Sequence, residues 1–227
     1  MKNHLIPLVG AALLTFGAQF AAAAEVTIAW QGNKALAGVE LQAFDTTVSS
    51  SEPVFDDYAL RLSYTNLSNN SSFAAFCIAP LKGNSVLPEQ YTKSAFGGDQ
   101  GAHLASLYQV AYRANMDATQ QAAFQLAVWE FTQEVPNASG VISFGTRTGN
   151  FHVNAPDSVL NLADSYVSDA LNFKGHSAFS VFKLKNASYQ DLVTAEITSA
   201  VPEPETFALF LGGLGAIGLL ARRRTVR

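Results

Sequence analysis

Two residues carry chemistry that their surroundings do not account for. Cys77 is the only cysteine of the chain and lies in the apolar stretch "SSFAAFCIAP". Gln125 lies in "AAFQLAVWEF", which is apolar nearly all the way round at helical spacing. Its neighbours one turn away are Ala122, Val128 and Trp129. A buried amide without partners costs about 1–3 kcal/mol, so a glutamine there needs a reason. If the Cys77 thiolate attacks the Gln125 carboxamide, ammonia leaves and an internal thioester forms. Both awkward polar groups are consumed, and an apolar surround keeps water from the product. The thioester is an acyl electrophile open to an amine or hydroxyl of another molecule. An inert buried thiol beside a structural glutamine is the competing reading of the same residues.

The ends of the chain say where such chemistry would operate. Lys2, an apolar run from Leu5 to Phe20 and the small residues Ala22-Ala23-Ala24 before Glu25 have the order of a secretory signal peptide. Residues 1–24 are therefore set aside from the fold, with cleavage expected before Glu25. At the other end, Thr206 to Ala221 is apolar and Gly-rich and is followed at once by Arg222, Arg223 and Arg224. A bilayer takes roughly 20 apolar residues, so the span is short, but snorkelling arginines extend it. The basic cluster stays cytoplasmic, which leaves the body of the protein outside. Pro202 and Pro204 keep the preceding segment extended and accessible.

Val201-Pro202-Glu203-Pro204-Glu205, the apolar span and the Arg222–Arg224 tail together resemble the PEP-CTERM sorting signal of Gram-negative bacteria. The resemblance implies recognition by an exosortase after a transient stay in the inner membrane. It also implies export across that membrane and delivery to the cell surface or exopolysaccharide matrix.

The body carries a second resemblance. Phe76-Cys77 and Gln125-Leu126-Ala127-Val128-Trp129 resemble the aromatic-Cys and Gln-x-Ala-Ile/Val-Trp motifs of bacterial thioester domains on surface adhesins. That resemblance implies a Cys77–Gln125 thioester, with Phe76, Ala127 and Trp129 as motif neighbours. It further implies covalent capture of a surface nucleophile, an amine such as a lysine side chain. Members of that family often have Thr before the glutamine, where this chain has Phe124. A non-reactive structural or polysaccharide-associated protein with the same sorting tail is the alternative function.

Residues 25–199 form the exported domain in this reading, and 200–227 the sorting signal. The formal net charge is −4, and the sorting signal holds four arginines against two glutamates, so the exported part is more acidic still. That excludes nucleic acid as a partner. "VTIAW", "VELQAF" and "YALRLSYTN" read as strands, the last with Tyr58, Leu60, Leu62 and Tyr64 on one face. "FAAFCIA" reads as a buried strand. Helices are expected from about Gly101, after Asp117 with a Gln120 capping box, and over "PDSVLNLADSYVSDALNF" with Val159, Leu162, Ala163 and Tyr166 inward. "SAFSVFKLKN" and "QDLVTAEITS" return to strand. The order predicts an α+β fold, a β-sandwich or barrel with a helical insertion.

Other candidates are weaker. His103, His152 and His176 fit no cysteine-hydrolase motif, although His103 could stand near the thioester as a base. No metal-ligand spacing is present, and "GGDQG" or Asp56-Asp57 reads as an acidic turn before a calcium loop. Trp30 could stack on a sugar, whereas Trp129 reads as core. No catalytic residue set, metal or cofactor is assigned, and the chain is not read as an enzyme.

Overall fold

A computed structural model of the chain describes residues 23–32, 39–45, 53–198 and 213–214. Residues 1–22 of the expected signal peptide, the Pro202-Glu203-Pro204 motif, all but two residues of the apolar span and Arg222–Arg224 lie outside the described residues, and Ala24, placed last in the signal peptide, is the first residue of a strand. Among the described residues no helix is long and apolar enough to cross a membrane.

Six strands close into a barrel. In spatial order they are β1 (Ala24–Trp30), β4 (Leu62–Asn66), β5 (Ser71–Cys77), β9 (Leu192–Ile197), β8 (Phe179–Lys185) and β6 (Glu89–Ala95). Every pairing is antiparallel, and closure comes from β6, which pairs with both β1 and β8. A separate sheet has the order β3 (Phe55–Ala59), β2 (Val39–Asp45), β7 (Phe151–Asn154). Three helices, α1 (Gly98–Ala111), α2 (Ala118–Gln133) and α3 (Asp157–Asn172), stand between β6 and β8 in the chain. The barrel of the expected α+β fold is thus present, and its helical insertion also contributes β7.

The segment "YALRLSYTN" is not one strand. It breaks at Leu60-Arg61, so that β3 joins the small sheet while β4 enters the barrel. Leu60, Leu62 and Tyr64 line the barrel interior with Ile28, Ala75, Tyr91, Leu184 and Leu192. Tyr58 is 52% exposed and does not share their face. The break has a visible anchor: the Arg61 backbone N–H donates to Gln121 Oε1 of α2, at 3.4 Å. Strands β6 and β7 carry no sequence signal of comparable strength. β6, "EQYTKSA", buries only Tyr91, and β7 is four residues long.

The central element is α2. Every residue from Gln121 to Phe131 is buried, as expected for a helix that is apolar all round. Its start follows the predicted capping box: Asp117 Oδ1 accepts from the Gln120 backbone N–H, and the Asp117 N–H donates to Gln120 Oε1. It ends three residues before Pro136. One side of α2 packs with α1, α3 and Phe76. The other packs through Ala122, Ala123, Leu126 and Trp129 against the small sheet and α3. Helix α1 begins at Gly98, earlier than expected, because "GGDQG" forms its first turn rather than a cation loop. Gly101 is required there: a Cβ would stand 2.9 Å from the Phe96 carbonyl oxygen. On α3 the buried stripe is Val159, Leu160, Ala163, Val167 and Ala170, rotated from the predicted one, with Leu162 and Tyr166 at its margin.

Candidate functional site: Cys77 and its amides

Cys77 is the last residue of β5, and the alternation of the strand sends Phe76 and Cys77 to opposite faces. Phe76 enters the helical core and Cys77 the core between the small sheet and α2. Cys77 is 5% exposed and Gln125 1%.

The structure brings the two together. The Cys77 backbone N–H donates to Gln125 Oε1 at 2.8 Å, and Gln125 Nε2 donates to the Cys77 carbonyl oxygen at 2.8 Å. Gln125 therefore caps the free end of β5 as a further ladder rung, which answers how a glutamine survives on a fully buried helix turn. The arrangement also has chemical content. A backbone N–H on Oε1 polarises the carboxamide and stabilises the oxyanion that forms when a nucleophile adds to its carbon.

A second amide, which sequence reading did not anticipate, reaches the sulfur itself. Gln190 Nε2 lies 2.7 Å from Cys77 Sγ, across 113 positions of sequence. Gln190 belongs to the β8–β9 loop, which is tied to the segment following Cys77. The Ile78 N–H donates to the Asp191 carbonyl oxygen at 2.9 Å and the Gln190 N–H to that of Gly83 at 3.0 Å. Lys82 donates to the Asn186 carbonyl oxygen at 2.9 Å and faces Asp191 at 3.5 Å. From α2, Gln133 Nε2 donates to the Ile78 carbonyl oxygen at 3.0 Å. Tyr64 approaches from β4 and hydrogen-bonds to Asn84. Burial pushes its phenol well above the usual value, and the nearby Tyr91 and Cys77 add to the effect.

The motif neighbours fall into packing roles. Ala127 is fully buried, and Trp129 is 2% exposed with its ring edge-on to Phe151 at 6.1 Å. Trp129 is thus core, as read. Trp30 packs partly buried against the barrel core. His103 is drawn elsewhere: its ring meets Phe131 at 5.2 Å and Phe144 at 5.8 Å, farther along α2 than Gln125. His152 stacks on Phe44 at 5.1 Å, and His176 is exposed after α3. Asp56 and Asp57 are strand residues of β3, opposite Gln42 and Leu41, rather than a turn. Among the described residues no group of His, Cys, Asp and Glu could hold a metal ion.

Ile78, the residue after Cys77, lines a cleft of about 270 Å³ with Val54, Pro80, Leu81, Gln133 and Phe151. Phe151 belongs to the same buried cluster as Cys77, and Val54 packs against that cluster.

Residues 200–224 match the PEP-CTERM protein-sorting motif, which carries the Pro202-Glu203-Pro204 element and the arginines. The motif implies export and exosortase processing. Among curated proteins none is similar in sequence. Solved structures to which the chain is similar include two adhesin domains. The N-terminal domain of the Streptococcus pyogenes pilus tip adhesin Cpa is 12% identical, with a TM-score of 0.42, over 74% of this chain and 98% of that one. A cysteine-to-alanine mutant of the N-terminal thioester domain of a Clostridium perfringens surface protein is 14% identical, with a TM-score of 0.40, over 69% and 99%.

Proposed function

We propose that the chain is an exported surface or matrix protein that binds a target covalently through a Cys77–Gln125 thioester. In this reading an exosortase acts at the sorting tail, and residues 25–199 are delivered to the cell surface or extracellular matrix. The captured group is a nucleophile on the target, an amine such as a lysine side chain, or a hydroxyl. Each molecule acts once, so the chain is a covalent binder and not an enzyme that turns over.

The observation that carries this reading is the two-point pairing of the Gln125 carboxamide with the Cys77 N–H and C=O. It holds the amide against the backbone of the residue that bears the thiol and leaves Oε1 on a donor, while the carboxamide in contact with Sγ itself is that of Gln190, at 2.7 Å. The surround is water-poor, which a thioester needs to persist. The cleft lined by Ile78, the residue after Cys77, is the approach assigned to a target side chain in this reading.

The non-reactive reading draws on the same pair of bonds, since they also satisfy a buried glutamine and the end of a strand. Methylamine separates the two. The thioester chain incorporates one methylamine at Gln125, and Cys77→Ala abolishes the incorporation. A wild-type chain that takes up none is a non-reactive surface protein.

A further inference from the structure

The two ends of the barrel differ. Towards Cys77 its interior is filled by Tyr64 and Tyr91, which join Leu62, Ile28 and Leu184 in the barrel core. The other end lies at Ser71, the start of β5, six positions (77 minus 71) and about 20 Å along the strand from Cys77. There a cleft of about 200 Å³ reaches inward to Ile28 and Leu184, each 2% exposed, with Val26 and Phe73 beside them. Strand alternation sets two charges over this floor. Lys93 follows the inward Tyr91 by two positions on β6, and Glu196 follows the inward Leu192 by four on β9. The two pair with each other at the mouth, and Lys93 Nζ also stands 4.0 Å from the Phe182 ring centroid. The β4–β5 turn forms the rim. Asn66 Oδ1 accepts from the Ser68 N–H at 2.9 Å and Asn69 Oδ1 from that of Ser71 at 3.1 Å, so both amides turn their oxygens to the backbone. Both residues line the cleft, and their amide N–H groups bond to no described residue.

We propose that this mouth binds a small carboxylic acid with an apolar, ring-sized body, whose carboxylate takes the place of Glu196 on Lys93. The cation is the fixed partner of the pair. Its side chain is 23% exposed and seated on Phe182, whereas that of Glu196 is 60% exposed. An ion pair with so wet a partner contributes about 0–1 kcal/mol, so exchanging Glu196 for another carboxylate costs little. Asn66 and Asn69 add N–H donors at the rim, and donors to an ionised carboxylate make the stronger kind of hydrogen bond. The floor selects the body of the ligand. Val26, Ile28, Phe73 and Leu184 have no polar side-chain atom, and Thr194 beside them donates its hydroxyl to the Ala74 carbonyl at 2.8 Å. An apolar cavity of about 150 Å³ holds a benzene ring, so this one takes a ring and leaves its carboxylate at Lys93. Binding makes and breaks no covalent bond, and Cys77 at the far end of the barrel has no part in it.

The test titrates the full chain with benzoate by calorimetry. Benzamide, which lacks the charge, and glucuronate, which lacks the apolar body, are the matched probes. Benzoate is expected to bind one to one, and each of the other two about ten-fold more weakly. Lys93→Gln is expected to weaken benzoate about ten-fold, and Glu196→Gln, which removes the competing carboxylate from an exposed strand end, to tighten it about three-fold. Both variants break the same ion pair, so opposite signs mark a ligand site and not a structural contact. In the wild type, benzoate should also slow the labelling of Lys93 by a succinimidyl ester, read by peptide mass. Cys77→Ala is expected to bind benzoate as the wild type does, so the fate of the thioester reading does not touch this result. Absence of benzoate binding with no protection of Lys93 overturns the proposal. So does an affinity that moves the same way in both variants, or one that benzamide or glucuronate equals.

Discussion

Phe76 and Phe124 pack with their ring centroids 4.6 Å apart, and the next residue in each element, Cys77 and Gln125, completes the hydrogen-bonded pair. One aromatic contact thus sets the register between the end of β5 and the middle of α2. It also gives Phe124, the departure from the threonine of the thioester-domain motif, a role of its own. Tyr108 and Tyr112 enclose the two rings from α1, with Tyr112 just past its end.

Removing that contact should act on stability and on the site together. Phe124→Ala is expected to cost about 3–5 kcal/mol in denaturant unfolding and to slow methylamine incorporation. Destabilisation with an unchanged incorporation rate would mean that the ring does not set the register.

Truncating Gln125 should remove the bonds that it makes to the Cys77 N–H and C=O. Gln125→Leu, close to isosteric, is expected to lose about 1–3 kcal/mol from the two buried bonds. Chemical denaturation checks this, and an unchanged midpoint would deny the amide its place on the end of β5.

Glu130 gives the domain a pH dependence. It is fully buried, accepts from the Gly145 backbone N–H at 2.8 Å, and has a pKa pushed up to about 8. Burial is the main cause; the Gly145 bond opposes it, and Glu134 and Asp164 add to the rise. Below an unfolded value of about 4.3 both states carry the proton and Glu130 imposes no penalty. Between there and about 8 the unfolded chain ionises while the native one does not, so stability falls by up to about 1.4 kcal/mol per pH unit. Thermal unfolding from pH 5 to pH 8 should show this decline, and Glu130→Gln should flatten it. Parallel pH profiles would contradict the assignment.

The loop that Glu130 holds is also clasped by Glu134, which accepts from the N–H groups of Asn150 and Phe151. Gly149 makes that clasp possible: its φ is +96°, and a Cβ would stand 2.2 Å from Glu134 Oε1. Gly149→Ala is expected to cost about 1–3 kcal/mol from the backbone alone, with the loss read in the unfolding midpoint.

Much of this arrangement was legible in the sequence. The all-round apolarity of "AAFQLAVWEF" marked α2 as central, and Asp117 with Gln120 marked its start. The apolar run ending at Cys77 marked β5. Less visible was what depends on distant chain segments. Strand β6 closes the barrel with a single buried side chain, Tyr91, so its pattern is that of a polar loop. The break at Leu60-Arg61 is hidden because alternation continues through it, and only Gln121 shows where the chain changes sheets. Glu130, between Trp129 and Phe131, looks like the one wet position of the helix and is in fact fully buried. Gln190 sits in an ordinary polar turn, and nothing local links "SYQD" to a thiol on another strand.

The loop closed by a Cys77–Gln125 bond spans 48 positions. On the chain-entropy account of crosslinks that adds up to about 4 kcal/mol. Methylamine treatment of the wild type, which opens the loop without changing any other residue, should therefore lower the melting temperature. Treatment of Cys77→Ala should not.

The most direct measurement is the intact mass of the purified chain under non-reducing, amine-free conditions, beside Cys77→Ala. A Cys77–Gln125 thioester makes the wild type lighter than its sequence by one ammonia, with the deficit mapped to that crosslink and absent from the variant. A wild type at its full sequence mass, with a Cys77 thiol that titrates on unfolding, would contradict it.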